Sequence, residues 1–132
     1  HALDFAAARP QLAALGYAQV DNRLWNAARG NLEKLGDIAL WQRICRSEIA
    51  PVVADSGFAA KAAELLPQEP WNTETWRAWT EAVKQSTGRK GKDLFMPLRL
   101  ALTGVEHGPE LKVLLPLIGR DRALRRLRGE TA

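Results

Sequence analysis

The sequence predicts an all-α protein of eight or nine short helices in two packed helical lobes. Three observations carry that expectation. Apolar residues recur at spacings of three and four along most of the chain. No strand-like alternation of useful length occurs. Glycine and proline punctuate the apolar stripes and leave only short helices between them.

Residues 3–15 are rich in Ala and Leu, with Leu3, Ala7, Leu12 and Leu15 on the apolar side. Asp4 suits a first turn, where the helix dipole favours an anion. Pro10 leaves two arrangements open: one kinked helix, or a turn followed by a helix that starts near Pro10. Gly16 ends the segment. Asp21 is an N-cap for the next helix, whose apolar face is Leu24, Trp25, Ala28 and Leu32. Gly36 ends or kinks it. Asp37 caps a third helix, in which Leu40, Trp41, Ile44 and Cys45 repeat at helical spacing. Trp25 and Trp41 read as core. From Ser47 to Phe58 the pattern is less regular. Glu48, Ile49 and Pro51 suit a short helical continuation, and Asp55-Ser56-Gly57 is turn chemistry. FAAKAAELL then forms a short helix that stops at Pro67. Pro67 and Pro70 force extended backbone. A linker is therefore expected at about 67–70, between a helical lobe over 1–66 and a basic helical lobe over 71–132.

Asn72 or Thr73 caps the helix that opens the second lobe, with Glu74 in its first turn and Lys84 in its last turns. Trp76, Trp79, Ala82 and Val83 form its stripe, and Gly88 stops it. The next helix buries Leu94, Phe95, Leu98, Ala101 and Leu102. Pro97 predicts a late start or a kink. After Thr103-Gly104 a loop leads to Pro109, expected at the first position of a new helix. There Leu111, Leu114, Leu115 and Ile118 pack inward until Gly119. Asp121 opens the last helix, with Leu124 and Leu127 inside and Arg122, Arg125, Arg126 and Arg128 on its outer faces.

Charge is spread unevenly over these elements. Between Lys84 and Arg128 lie eleven bases and four acids, a balance of +7 in a chain of net charge +4. Residues 1–83 carry −2. Such asymmetry points to a polyanionic partner. Other classes are disfavoured. The single Cys45 has no internal disulfide partner, and His1 and His107 stand at no metal-ligand spacing to it. Cys45 reads as a half-buried thiol in a reducing cytosol. No apolar run approaches the roughly 18 residues of a membrane span. No signal peptide is visible, so a cytoplasmic chain is expected; as a fragment it is expected to be monomeric. His1 in place of Met suggests an excised segment or a tag remnant.

The loop Thr87–Lys92 is the first candidate site. It is too short to cradle phosphates as a P-loop does, and Asp93 stands where a nucleotide site needs Ser or Thr for magnesium. Two readings remain. Arg89, Lys90 and Lys92 meet phosphate oxygens at a helix N-terminus, or the loop is merely solvated. Arg99 projects between apolar neighbours, toward a ligand or into a salt bridge with Glu106 or Asp93. The loop from Val105 to Glu110 offers backbone N–H groups to a base or phosphate. His107 alone argues weakly for catalysis. No nucleophile–base pair, carboxylate pair or metal cluster is evident, so no catalytic residue and no metal site are assigned.

The segments GRKGKDLFMPLRLALTG, HGPEL and LLPLIGRDRALRRL resemble the end of bacterial glutamyl-tRNA synthetases of the alpha-proteobacterial type. WNTETWRAWTEAVKQSTGRKGK, LWNAARGNL and DIALWQRI are similar to the same proteins. The resemblance covers nearly the whole chain and is densest over 71–128. It implies an anticodon-binding region of the α-helical cage type, from a class I aminoacyl-tRNA synthetase. That family's catalytic signatures, of His-x-Gly-His and Lys-Met-Ser-Lys-Ser type, do not occur here. The resemblance thus implies a non-catalytic segment without a cofactor, in a parent enzyme that uses ATP and Mg. The implied partner is the unstacked anticodon loop of tRNA-Glu, or also of tRNA-Gln. Arg99 of PLRLALTG matches an arginine that reaches anticodon bases in the family. Gly108, Pro109, Glu110 and Leu111 match its base-contacting turn. Arg29 of AARGNL is the candidate for an arginine near the first anticodon base. Arg89, Lys90, Lys92, Arg122, Arg125 and Arg126 are assigned to backbone phosphates from charge alone. Two competing readings are a helical DNA-binding module, which needs a polar recognition helix, and a protein-interaction scaffold anchored by exposed Trp71, Trp76 and Trp79.

Overall fold

Asp21 and Asp55 cap two of the described helices, and left-handed glycines at 88 and 104 end two others. The computed structural model describes residues 5–17, 20–31 and 38–132, and within these it contains eight α-helices and no strand. The chain divides into two compact units, residues 1–47 and 48–132.

The first unit holds α1 (Phe5–Ala14), α2 (Asn22–Ala28), a 3-10 turn (Arg29–Asn31) and α3 (Ile38–Arg46). Pro10 lies inside α1, so the Ala-rich segment is one helix. Its buried residues are Ala8 and Leu12, while Ala7 and Leu15 are exposed. Gly16, at φ 86°, lets Tyr17 N–H reach the Leu12 carbonyl at 2.7 Å, closing the helix end. Asp21 caps α2 by accepting from Leu24 N–H at 2.8 Å. The same carboxylate pairs with Arg46 at 3.0 Å, tying the start of α2 to the end of α3. Trp25, Trp41, Ile44 and Cys45 are buried. The expectations on Leu3, Asp4, Leu32, Gly36 and Asp37 lie outside the described residues.

The second unit holds α4 (Ser56–Glu64), α5 (Thr75–Thr87), α6 (Lys92–Thr103), α7 (Leu111–Ile118) and α8 (Arg120–Leu127). Helix α4 packs on α5, α6 and α8, and α7 packs on α5 and α8. No helix forms over 48–54. Ile49 instead exchanges main-chain hydrogen bonds with Ala132 at 3.0 and 3.4 Å, and Val52 N–H donates to Leu100 O at 3.1 Å. Asp55 is not a plain turn residue. It caps α4 by accepting from Phe58 N–H at 3.0 Å.

The expected linker at 67–70, and with it the division into lobes 1–66 and 71–132, is not where the units part. Those prolines lie inside the second unit. The Pro67 carbonyl accepts from Trp71 Nε1 and from Arg120 Nε, each at 3.1 Å. Across the prolines, the buried Trp79 Nε1 donates to Ala62 O at 2.8 Å. Extended backbone changes the direction of the chain but does not separate cores. Here α4 and α5 share one.

Neither Asn72 nor Thr73 is the N-cap of α5: Glu74 takes that position, with no capping bond from its side chain, and the Asn72 side chain accepts from Glu74 N–H at 2.8 Å in the turn before it. Helix α6 begins at Lys92, ahead of Pro97, so the late start is not observed. Pro97 in α6 and Pro116 in α7 each remove one ladder hydrogen bond. In an isolated helix that costs about 3 kcal/mol or more. The buried leucines at 94, 98, 102, 114 and 115 offset it through packing. Gly104 ends α6 at φ 75°, and a Cβ there would lie 3.0 Å from the Ala50 carbonyl, so both conformation and space demand glycine. Pro109 is not the first residue of α7 but lies two residues ahead of it, since Glu110 takes the N-cap position and the helix starts at Leu111.

Candidate nucleic-acid interface

In α6 the side chains at 94, 98, 101 and 102 face the core. Phe95 and Arg99, four apart, share a different face. Phe95 is 43% exposed, which corrects its placement among the buried residues. Trp76 of α5 is half-buried, and its ring centre stands 6.1 Å from that of Phe95 with planes tilted by 37°. Trp76 is in turn braced edge-on by the fully buried Trp79, at 5.7 Å. The start of α7 supplies the opposite side. Trp76, Phe95, Arg99, Glu110, Leu111 and Lys112 together line a pocket of about 350 Å³.

Arg99 forms no ion pair with Glu106 or Asp93. Its Nη2 donates to Pro109 O at 3.0 Å. Its Nη1 is buried and has no partner among the described residues. Burial pushes the guanidinium below its ordinary pKa, because desolvation disfavours the charged form. Arginine nevertheless stays charged at neutral pH. A guanidinium plane lining a pocket with two partly exposed aromatic rings is suited to a flat ligand with acceptors on its edge.

The expected base-contacting turn meets Arg99 in this structure. Pro109 is held by the Arg99 hydrogen bond, Gly108 is exposed, and Leu111 is buried as an apolar wall of the pocket. Glu110 and Lys112 are exposed and pair at 3.5 Å. Trp76 and Phe95 are the residues that sequence reasoning missed. Both read as members of apolar stripes, and only the packing of α5 on α6 turns them outward together.

The basic residues divide. Lys90 and Lys92 are exposed. Arg89 is half-buried, pairs with Asp55 at 2.6 Å and lies 4.0 Å above the Phe58 ring. Arg89 and Lys92 also line a second cleft, of about 600 Å³, with Val52, Met96 and Leu100. Arg122 is half-buried, and the exposed Arg125 pairs with Glu130 at 3.6 Å. Arg126 is a correction. It is fully buried, and its Nε and Nη1 donate to Ala132 O at 2.9 Å and Leu102 O at 2.8 Å. It therefore has no outer face to offer a phosphate. Arg29 belongs to the first unit, half-buried at the C-cap of α2, where its backbone N–H donates to Trp25 O.

Asp55 couples the Arg89 loop to α4. Its carboxyl is held below the ordinary value of 3.8, first by the Phe58 N–H and then by the Arg89 side chain. A depressed folded-state pKa stabilises the fold above the ordinary value, and that stabilisation is lost as pH falls through the depressed one. Asp55→Asn is thus expected to lower the urea midpoint at neutral pH. The gap to the wild type should close as pH drops below 3.8. A gap that stays constant with pH would dismiss the carboxylate's role.

The competing readings lose their supports. In α6 buried leucines occupy the positions where a DNA-reading helix needs polar side chains. Trp71 and Trp79 are buried with their indole N–H groups satisfied, which leaves Trp76 as the half-exposed member of the supposed anchor. Among the described residues no group of three or more His, Cys, Asp or Glu gathers to hold a metal ion, and no helix is long and apolar enough to cross a membrane.

Comparison with known proteins places the chain in a family. Residues 57–130 match the family described as "Anticodon binding domain". The chain is 58% identical over its whole length to "Glutamate--tRNA ligase 2" of Methylobacterium sp. (strain 4-46), covering 30% of that protein. It is 55% identical over its whole length to "Glutamate--tRNA ligase 1" of Rhodospirillum rubrum, covering 29% of it. Over 99% of its length it is 54% identical to "Glutamate--tRNA ligase 1" of Parvibaculum lavamentivorans, again covering 29%. The chain thus spans about three tenths of the length of these relatives. On the family match, which takes in the aromatic pocket and all of α5 to α8, the chain belongs to the anticodon binding domain family.

Proposed function

We propose that this chain is the anticodon-binding part of a cytoplasmic glutamate–tRNA ligase, and that its second unit holds the unstacked anticodon loop of tRNA-Glu. The observation that carries the reading is the pocket in which the half-exposed rings of Trp76 and Phe95 stand beside the Arg99 guanidinium. A splayed base offers a flat face to the rings and acceptors to the guanidinium. Lys90 and Lys92, with Lys84 and Arg128, are the exposed cations for the flanking phosphates. Arg29 of the first unit is retained as a further contact. Charging with glutamate, and the ATP and magnesium it uses, falls to the rest of the longer protein. The residues here do not fit those groups, since Asp93 follows Lys92 where a magnesium-binding hydroxyl would be needed.

The test is a titration of the whole chain with anticodon stem-loops of tRNA-Glu and tRNA-Gln, followed by NMR and repeated against duplex DNA. Shifts are expected at Trp76, Phe95, Arg99 and residues 108–111. The log–log salt slope should be about −0.7 for each phosphate neutralised. Phe95→Ala should weaken binding by about fivefold, near the lower end of one lost stacking contact. Its stability should barely change, because the ring is already half in water. Salt-independent affinity, equal binding to duplex DNA, or shifts confined to other surfaces would overturn the reading.

A further inference from the structure

The cleft beside the 52–55 segment shares no lining residue with the aromatic pocket. Its floor is apolar: Val52, 44% exposed, with the half-buried Met96, Pro97 and Leu100 of α6. The Val52 N–H bond to Leu100 O, at 3.1 Å, holds the two walls together. A volume of about 600 Å³ is that of a small-molecule site, which is mostly apolar with a few placed polar groups. The polar groups here are of two kinds. Arg89 and Asp55 satisfy one another at 2.6 Å. Lys92 and Asp93 are exposed, and neither side chain has a hydrogen-bond or ion-pair partner among the described residues. Lys92, the first residue of α6, also stands against the helix dipole, which disfavours a cation at that end. Pro97 has no N–H to give the Asp93 carbonyl four residues before it, so that oxygen lacks its ladder donor. Two successive residues thus bring a cation, a carboxylate and a backbone acceptor to an apolar cleft.

We propose that this cleft binds a free α-amino acid with a large apolar side chain. Such a ligand carries both charges on one carbon, as neighbouring residues 92 and 93 require. Its carboxylate accepts from the Lys92 ammonium. Its own ammonium donates to the Asp93 carboxylate and has hydrogens left for the Asp93 carbonyl. The apolar side chain lies along Val52, Met96 and Leu100 and leaves water. An acidic amino acid does not fit, because its second carboxylate would be desolvated on that floor without a partner. The closed pair of Arg89 and Asp55 supplies a neutral edge that competes for neither end of the ligand.

The test is an NMR titration of the whole chain at neutral pH, read on the methyl group of Met96, the chain's single methionine. Leucine and phenylalanine should shift that signal with a Kd on the order of 1 mM, as suits so small a ligand. N-acetyl-leucine lacks the ammonium and leucinamide lacks the carboxylate. Each should bind about fivefold more weakly than leucine, the upper range for an exposed ion pair. Glutamate should leave the signal unmoved. Asp93→Asn should erase the advantage of leucine over N-acetyl-leucine, and Lys92→Gln its advantage over leucinamide. Thermal melts of both variants confirm that the fold is retained. A Met96 signal that leucine does not move overturns the proposal. So do equal affinities for the three leucine compounds, glutamate binding as tightly as leucine, or both advantages surviving in the variants. The titrations contain no RNA, so their outcome is independent of anticodon binding, to which Lys92 is also assigned.

Discussion

Arg126→Ala is expected to destabilise the second unit by about 4 kcal/mol, from the lost packing of a large buried side chain, the orphaned Leu102 carbonyl and the loss of one of the two donors to Ala132 O. For a chain of this size that corresponds to a fall in Tm of about 12 °C. Leu102 O is one of the last carbonyls of α6, which have no partner within the helix. Arg126 Nη1 fills it from α8, and Nε fills the Ala132 oxygen, so one side chain secures the end of α6 and the final residues. Those residues also pair with Ile49. Arg126→Met separates the contributions. It keeps most of the volume and removes the donors, so about half of the loss should return. The urea midpoint should drop with little change in slope. The folded variant should bind an anticodon stem-loop with unchanged salt dependence. A stable variant with one fewer phosphate contact would show instead that Arg126 faces RNA.

The second large effect concerns Arg99. Arg99→Ala should weaken binding of the anticodon stem-loop by about 2 kcal/mol, or roughly thirtyfold, the range of a good bidentate contact to a base edge. Two losses combine. The ligand loses a planar donor fork, and the turn before α7 loses the hydrogen bond that holds Pro109. Arg99→Lys discriminates between charge and shape. Lysine restores the charge but neither the fork nor the stacking plane, so it should recover only a small part of the affinity. Full recovery would mean that Arg99 acts as a plain cation on the backbone, and the pocket would then have no claim to read bases. Stability should change little in both variants, because the side chain is only half-buried and lies at a surface pocket.

The helical class, the Asp21 cap, the glycine stops at 16, 88 and 104 and the buried tryptophans at 25 and 41 were all legible in the sequence. Each depends on interactions within a few residues, or on the simple rule that large apolar side chains leave water. The site was legible in part. Arg99 and the turn at 108–111 carried a resemblance, but Trp76 and Phe95 did not stand out. A helical stripe is wider than the surface its neighbours cover, and spacing does not say which edge stays open. Asp55 shows the same limit at shorter range. Asp-Ser-Gly suits a turn and a helix start equally well, and the packing of Phe58 and Ala59 into the core decides for the helix.

What the sequence determined by itself is the kind of element, its ends, and a basic chain region from Lys84 onward. What the tertiary structure alone decided is where that charge is usable. Arg126 and Arg125 are neighbours with the same charge in the same helix. One is sealed on carbonyl oxygens, and the other stands in solvent beside Glu130. The difference lies in α6, whose unpaired C-terminal carbonyl group faces one side of α8. Long-range packing also drew α4 and α5 into one core across the prolines at 67 and 70, and turned Trp76 and Phe95 toward Arg99. Local sequence sets backbone preference. The burial of a given side chain depends on what the rest of the chain brings against it.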